Sequence, residues 1–281
     1  MLQWRVYNFS NNKTYFPTIR TMKFTTFFRN ALAVALAAVV FTACNDDDED
    51  WLISPGDPAY GFANALVTAK TADDGTFFLQ LTDAVSLLPI NITKSPYEKE
   101  VRALVNYSEI SKEDLLKYSP DGDLKGCTSA VRLNWIDSIL TKMPVPDLLE
   151  KNDETYGNDC VEIVNDWVTI AEDGYLTLRF RTRWSGNKTH RVNLITGINP
   201  ENPYEVEFRH DASGDVNGMW GDALVAFNLN ELPDTKGETV KLKLRWKAYS
   251  GNKSVEFDFC SRKATGGELP TEDLISAKLL Y

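Results

Sequence analysis

Apolar and polar residues alternate through the first long block of the chain, residues 51–142, as they do in strands that bury one face. Asp73, Asp74 and Gly75 separate two apolar runs and predict a hairpin turn. Ser111, followed three residues later by Asp114, predicts the start of one short helix. Together these patterns predict a small OB-like Greek-key barrel, with strands at Ala63–Lys70, Thr76–Asp83, Val85–Ile90, Val101–Tyr107 and Val131–Leu140.

The same alternation runs through a second block, residues 159–281, with turn-forming residues between the apolar runs. No helix of note interrupts it, so this block predicts a β-sandwich. Residues 143–158 contain two prolines and a polar run, which predicts a linker between the blocks. We therefore expect an all-β chain, with sandwich strands at Cys160–Ile170, Tyr175–Trp184, His190–Thr196, Tyr204–His210, Ala223–Asn228, Thr239–Tyr249 and Ser254–Ser261.

Two of the predicted sandwich strands carry basic rows, because successive side chains of a strand point to opposite faces. In both strands the apolar residues share one face, and the polar face, which includes Thr177, is expected to meet solvent. One interpretation of the rows is a surface that binds an anionic glycan, a lipopolysaccharide phosphate or an acidic partner. The rows consist of Arg179, Arg181 and Arg183 in one strand, and of Lys241, Lys243, Arg245 and Lys247 in the other.

The alternative interpretation, which we favour, is pairing of these basic side chains with acids on neighbouring strands. The strand Ser254–Ser261 offers Glu256 and Asp258, and the strand Tyr204–His210 offers Glu205 and Glu207. If these pairs form, little positive charge is left for a ligand.

The N-terminal part of the chain has the features of an export signal. Ala31–Phe41 is an unbroken apolar run, which is shorter than the roughly 20 residues of a membrane-spanning helix and suits a signal peptide. Starting at Met22 gives this signal, residues 22–43, an ordinary length with two basic residues before the run. We therefore expect residues 1–21 to be a mis-assigned start.

The signal ends at a cysteine, because Ala43 precedes Cys44. A small residue before a cysteine resembles the bacterial lipobox, whose cysteine thiol is lipidated, so Cys44 is expected to anchor the protein to a membrane. Residues 46–50 are all acidic, and with Cys44 they form a solvated tether, residues 44–50. This acidic run also resembles the export signal of Bacteroidetes surface lipoproteins. We expect the outer face of the outer membrane, with the periplasmic face as the alternative.

Charge and cysteine content narrow the function classes. The first 44 residues hold five of the 30 basic residues and none of the 40 acidic ones, so the rest of the chain has a net charge of −15. Such a chain lacks the basic surface that nucleic-acid binding needs. Cys127, Cys160 and Cys260 permit at most one internal disulfide, for which Cys160 and Cys260 are the favoured pair. The sequence has no CxxC motif, so a zinc site is not expected.

The remaining candidates for chemistry are weak, and we expect no catalytic set, cofactor or metal. His190 and His210 are the only histidines, and no nucleophile motif accompanies them, so a structural role is favoured. No carboxylate pair stands out for glycoside hydrolysis. Residues 211–218 faintly resemble a calcium loop, but Leu224 stands where the closing acidic ligand would fall.

With both blocks in view, the chain resembles the NigD-like lipoproteins of Bacteroidetes. The resemblance rests on the DDGTFFLQL hairpin, on VRALVNYSEI, on VRLNWIDSILTK and on EDGYLTLRFRTRWSGNKTHRVNL. It implies a lipidated cysteine, an N-terminal OB-type domain and a C-terminal β-sandwich, and the family name hints at a bacteriocin-related accessory role. It implies no catalytic residue.

Three functional hypotheses follow. The first is a non-catalytic binding or accessory module of the cell envelope, with a glycan or a protein such as a bacteriocin as its ligand. The second is a structural or assembly protein of the outer membrane. The third and weakest is a polysaccharide hydrolase.

Overall fold

The structure, a computed structural model, describes residues 63–262. The expected mis-assigned start, the signal peptide, Cys44 and its acidic tether lie outside the described residues, so these expectations stay predictions. Among the described residues, no helix is long and apolar enough to cross a membrane.

The N-terminal part is a closed five-stranded barrel, as the alternation predicts. Around the barrel the strands follow the order β1-β2-β3-β5-β4, and only β3 and β5 pair in parallel. One short helix, α1 (Lys112–Tyr118), lies between the fourth and fifth strands of the barrel. The strands are β1 (Ala65–Thr71), β2 (Phe77–Gln80), β3 (Ser86–Pro89), β4 (Val101–Glu109) and β5 (Ser129–Ser138).

Local sequence signals explain this barrel. Alternate residues of its strands, such as Val67, Leu79 and Val105, are buried in one core. The Ser111 hydroxyl accepts a hydrogen bond from the Asp114 N–H, so the helix begins at the predicted cap. Gly75 has a φ of +86°, which the turn between β1 and β2 requires and a larger residue would resist.

The C-terminal part is a β-sandwich of two sheets, also as predicted. In the first sheet the order is β6-β13-β10-β8, and β9 also pairs with β10; in the second it is β15-β14-β12-β11-β7. The first sheet contains β6 (Leu140–Lys142), β8 (Glu162–Val164), β9 (Ile170–Glu172), β10 (Tyr175–Trp184) and β13 (Met219–Asn228). The second contains β7 (Val145–Pro146), β11 (Arg191–Thr196), β12 (Glu205–Asp211), β14 (Val240–Ala248) and β15 (Gly251–Phe259).

Three segments differ from the sequence prediction. Cys160–Ile170 is not one strand, because a turn after Val164 separates β8 from β9. Leu140, the predicted end of the last barrel strand, instead belongs to β6 and pairs with β13. Residues 143–158 are not a free linker, since β7 pairs in parallel with β11. Pro146 fits there because β7 is a sheet edge, where a missing N–H costs no ladder bond.

The barrel packs against the outer face of the first sheet through a small apolar cluster. Leu66 and Leu104 come from barrel strands, and they meet Tyr175, Leu224 and Ala226 from β10 and β13. All five are buried. The two β-domains therefore share a core of their own in addition to their separate cores.

A buried arginine lies in the same junction. Arg102 of β4 is fully buried, and its guanidinium donates to the hydroxyls of Thr68 and Thr177 at 2.9 and 3.3 Å. Burial lowers the pKa of Arg102, and the nearby Asp173 and Glu172 oppose that effect. Thr177 was expected to meet solvent, and this expectation is wrong because the barrel covers the first half of β10.

Candidate binding site at one end of the sandwich

The two predicted basic rows lie on opposite sides of the sandwich. β10 and β14 belong to different sheets, whose apolar residues meet in one core. Their outer faces therefore point away from each other. The structure does not bring the seven basic residues together into a single positive surface.

Five of these seven side chains pair with carboxylates, as we favoured, but only those on β14 do so with the acids that the sequence suggested. On the first sheet, Arg179 and Arg181 both bind Asp222. Although burial raises the pKa of Asp222, its hydrogen bonds with Arg181 and Arg179 hold that pKa below the usual value. The other pairs are Arg179 with Asp166, Lys241 with Asp258, Lys243 with Glu205, and Arg245 with Glu205 and Glu207.

Arg183 and Lys247, the last residues of their rows, bind differently. The Arg183 guanidinium lies 4.6 Å from the ring centre of Trp220 and donates to the Gly218 carbonyl oxygen at 3.3 Å. The Lys247 ammonium donates to the Asn158 carbonyl oxygen at 2.8 Å. Neither forms an ion pair with a carboxylate within residues 63–262. They differ from the other five in having no direct ion pair, although Lys247 still interacts electrostatically with Asp153.

Tyr249, in the turn between β14 and β15, connects the two sheets at this end. Strand β8 pairs with β10 only as far as Arg181, which leaves the edge of β10 open beyond that residue. The Tyr249 hydroxyl accepts the Arg183 backbone N–H at 3.2 Å and lies 3.2 Å from the Thr182 hydroxyl. Its ring packs edge-on against Trp220, with 5.0 Å between ring centres. Trp220 and Tyr249 remain 47% and 42% exposed.

A small cavity of about 130 Å³ opens beside Tyr249. Its size is below the roughly 300–1,000 Å³ of pockets that enclose a whole small ligand, so it suits one protruding group of a larger ligand. Its polar lining comes from Asn158, Asp159, Thr182, His210, Lys247 and Tyr249, and Val216 adds an apolar edge. We call this cavity, together with Arg183, Trp220, Lys247 and Tyr249, the end site.

The loop at 211–218, which faintly resembled a calcium loop, positions the end site instead. Both Asp215 carboxylate oxygens accept the Ser185 backbone N–H, and Asp211 accepts the N–H of Ser213. The loop is tied to the cavity wall by Asp159, which accepts the Ala212 N–H at 2.8 Å. Within residues 63–262, no group of three acidic, histidine or cysteine residues is arranged to hold a metal ion.

Gly218 provides a test of this loop. A Cβ built on Gly218 would lie 1.9 Å from the backbone carbonyl carbon of Trp184, so Gly218→Ala must displace the chain. We expect Gly218→Ala to lower the free energy of unfolding by about 1–3 kcal/mol and to change the environment of Trp220. Gly221 is the matched control, because nothing lies within 4 Å of its Cβ position. Urea unfolding followed by tryptophan fluorescence would measure both; equal stabilities of the two variants would contradict the expectation.

The two histidines form a buried pair beneath the cavity. His190 Nδ1 lies 2.9 Å from His210 Nε2, and both side chains are buried near strand ends. Burial lowers the pKa of both, and together with the neighbouring His190 it lowers that of His210 to about 4. At neutral pH the pair is therefore uncharged, with one ring donating to the other, which suits a structural role in the cavity wall.

The one internal disulfide that the sequence permits is not formed, since Cys127, Cys160 and Cys260 are all free thiols. Cys160 lines the end-site cavity, whereas Cys260 follows β15 and contacts the Thr235 hydroxyl. The two members of the favoured pair therefore lie in different surroundings.

Comparison with known proteins identifies the family. The NigD-like N-terminal OB domain matches residues 66–139, and the NigD-like C-terminal beta sandwich domain matches residues 144–259. The chain belongs to the NigD-like family. The sandwich match begins at residue 144, so it covers all but the first residue of the expected linker, residues 143–158. No curated protein matches this NigD-like chain.

Solved structures resemble the NigD-like chain over most of its length. A Parabacteroides distasonis protein described as toxin related is 33% identical, with a TM-score of 0.56, covering 70% of this chain and 92% of its own. A Bacteroides vulgatus protein of unknown function is 19% identical, with a TM-score of 0.52, covering 74% and 94%. A NigD-like immunity protein from Bacteroides caccae is 22% identical, with a TM-score of 0.46, covering 68% and 90%.

Sequence reasoning found the basic members of the end site in this NigD-like protein but missed its aromatic ones. Trp220 and Tyr249 are far apart in the chain and belong to no motif. The sequence did indicate where Tyr249 would lie, because it directly precedes the turn-forming Ser250 and Gly251 and so belongs to a loop tip. Nothing in the sequence indicated that Trp220 would pack against it.

Proposed function

We propose that this protein is a lipid-anchored protein of the cell envelope that acts as a non-catalytic binding module, and that its ligand binds at the end site. The anchor is Cys44, and the acidic residues 46–50 support display at the cell surface. Membership of the NigD-like family supports an accessory rather than a catalytic role.

The exposed pair of Trp220 and Tyr249, beside two cations that form no ion pair among residues 63–262, carries this proposal. Tryptophan, tyrosine and arginine are the residues that most often dominate binding energy at interfaces. Tyr249 packs on Trp220 and accepts the Arg183 backbone N–H, and the Gly218 carbonyl accepts the Arg183 guanidinium, so these side chains have partners that orient them before a ligand arrives. A preformed site avoids the entropic cost of ordering side chains on binding.

The binding site can be tested by comparing alanine substitutions of two exposed tryptophans, one inside the end site and one outside it. We expect Trp220→Ala to weaken ligand binding at least tenfold, because truncation of a dominant interface residue typically costs about 2 kcal/mol or more. Trp167→Ala is the matched control, since Trp167 is 37% exposed and lies outside the end site. The mature chain would be applied to arrays of bacterial and plant glycans and of outer-membrane proteins. Equal binding by both variants would place the site elsewhere.

The anchor is tested separately by Cys44→Ala. Without the thiol no diacylglyceryl group can be attached, so the variant should fail to incorporate a labelled fatty acid and should leave the membrane fraction. Digestion of intact cells with protease distinguishes the two faces of the outer membrane. Incorporation of label by the variant would disprove lipidation at Cys44.

A second candidate function has one observation in its favour. The Parabacteroides distasonis relative, 33% identical, is described as toxin related. If that property extends to this chain, the ligand at the end site is a protein, and the protein array rather than the glycan array will give the Trp220-dependent signal.

A further inference from the structure

We infer that the end site recognises a glycan that carries carboxylate groups, that is, a glycan containing uronic acid. This inference rests on the proposed function, because it names the ligand class of the same site.

The two cations at the end site favour an anionic ligand. Arg183 and Lys247 are the two members of the basic rows without a carboxylate partner among the described residues, and both lie at the end site. The other five are neutralised by cross-strand acids. Because the chain has a net charge of −10, its overall charge does not attract a polyanion from a distance. An anionic ligand therefore has to be held by these local cations. Charge-assisted hydrogen bonds to a carboxylate would do so.

The aromatic pair is the second argument. A pyranose ring presents a face of C–H groups, which packs on an aromatic ring and carries its polar groups at the edge. Trp220 and Tyr249 are 47% and 42% exposed, and the Arg183 guanidinium covers one face of the Trp220 ring. A sugar would pack on the aromatic surface that Arg183 leaves open, and its carboxylate would reach the guanidinium at the edge of that ring.

The cavity is the third argument, and it favours a sugar over an acidic protein. Protein anchors fill pockets that are well packed and free of water. This cavity is instead lined by groups that donate, such as Lys247, by groups that accept, such as Asp159, and by the hydroxyls of Thr182 and Tyr249. Sugar hydroxyls both donate and accept, so they match such a mixture, and a volume of about 130 Å³ suits one substituent of a ring.

The test compares two double variants of equal charge. Arg183→Gln with Lys247→Gln removes one cation from β10 and one from β14 at the end site. Arg181→Gln with Lys241→Gln removes one from each of the same strands, but at side chains paired with Asp222 and Asp258. The protein is the full mature chain, with Cys44→Ser in all variants to keep it in solution. The probes are polygalacturonate, alginate and hyaluronan, with carboxyl-reduced polygalacturonate as the neutral partner and polyglutamate as an acidic polypeptide.

We expect at least one uronate glycan to bind the parent chain, and the first double variant to bind it at least tenfold more weakly. The second double variant should stay within about twofold of the parent, since its two cations are already paired with Asp222 and Asp258 and lie outside the end site. Carboxyl-reduced polygalacturonate and polyglutamate should not bind. Equal losses in the two double variants, or polyglutamate binding as well as the glycans, would overturn the inference. If no uronate glycan binds while a neutral glycan or a protein binds in a Trp220-dependent manner, the inference fails and the proposed function stands.

Discussion

Leu104→Ala is expected to lower the free energy of unfolding of the barrel and the sandwich together, by about 2–5 kcal/mol. Leu104 belongs to barrel strand β4 and has no exposed surface, yet it packs in the cluster with Tyr175 and Leu224 of the sandwich. Removing it leaves a cavity in the core that the two domains share. The loss should therefore appear in amides of both domains.

Hydrogen exchange resolved along the chain, combined with urea unfolding, would measure this effect. Leu87→Ala is the control, because Leu87 is buried in the barrel core and is not part of the shared cluster. That control should weaken protection mainly in the barrel. If Leu104→Ala left protection of β10 and β13 unchanged, the junction would not couple the domains.

Glu172→Gln is expected to stabilise the protein at pH 8 and to have little effect near pH 4. Glu172 lies in the junction, and burial together with the charge of Asp83 raises its pKa from 4.5 to about 7, although Arg102 acts in the opposite direction. Asp173 also faces it and raises the pKa. A carboxyl whose pKa is raised by folding stabilises the native state below its unfolded pKa, and this contribution is lost as the pH rises through the folded value. Glutamine resembles the protonated form at every pH.

The stability difference between Glu172→Gln and the parent should therefore increase from about pH 4.5 to 8, by at most about 3 kcal/mol. The parent has to be subtracted because His210 also makes stability depend on pH. Its folded pKa is about 4, so the protein loses stability as the pH falls below 6.5. Urea unfolding at several pH values, with exposed Glu109→Gln as the control, would measure it. A flat difference would show that folding does not raise the pKa of Glu172.

The elements of the fold could be predicted because they depend on local patterns. β10 occupies the predicted residues, Tyr175–Trp184, since its alternation and its flanking turns are both local signals. The helix cap at Ser111 is predictable for the same reason. The predictions fail where a distant segment supplies the partner. β7 is a strand only because it pairs with β11, and Thr177 is buried only because the barrel covers the start of β10.

The candidate site likewise has a part that the sequence predicts and a part that it does not. By itself the sequence determined that β10 and β14 each carry basic residues on one face, because side-chain direction along a strand has a fixed period of two. Only the tertiary structure decided which of those charges remain available, since pairing depends on the neighbours that strand order and register bring across. Arg183 and Lys247 come from opposite sheets, and Trp220 and Tyr249 are distant in the chain. Tyr249 links them, because its ring packs on Trp220, which Arg183 contacts, and because it lines the cavity together with Lys247. No local pattern encodes these contacts.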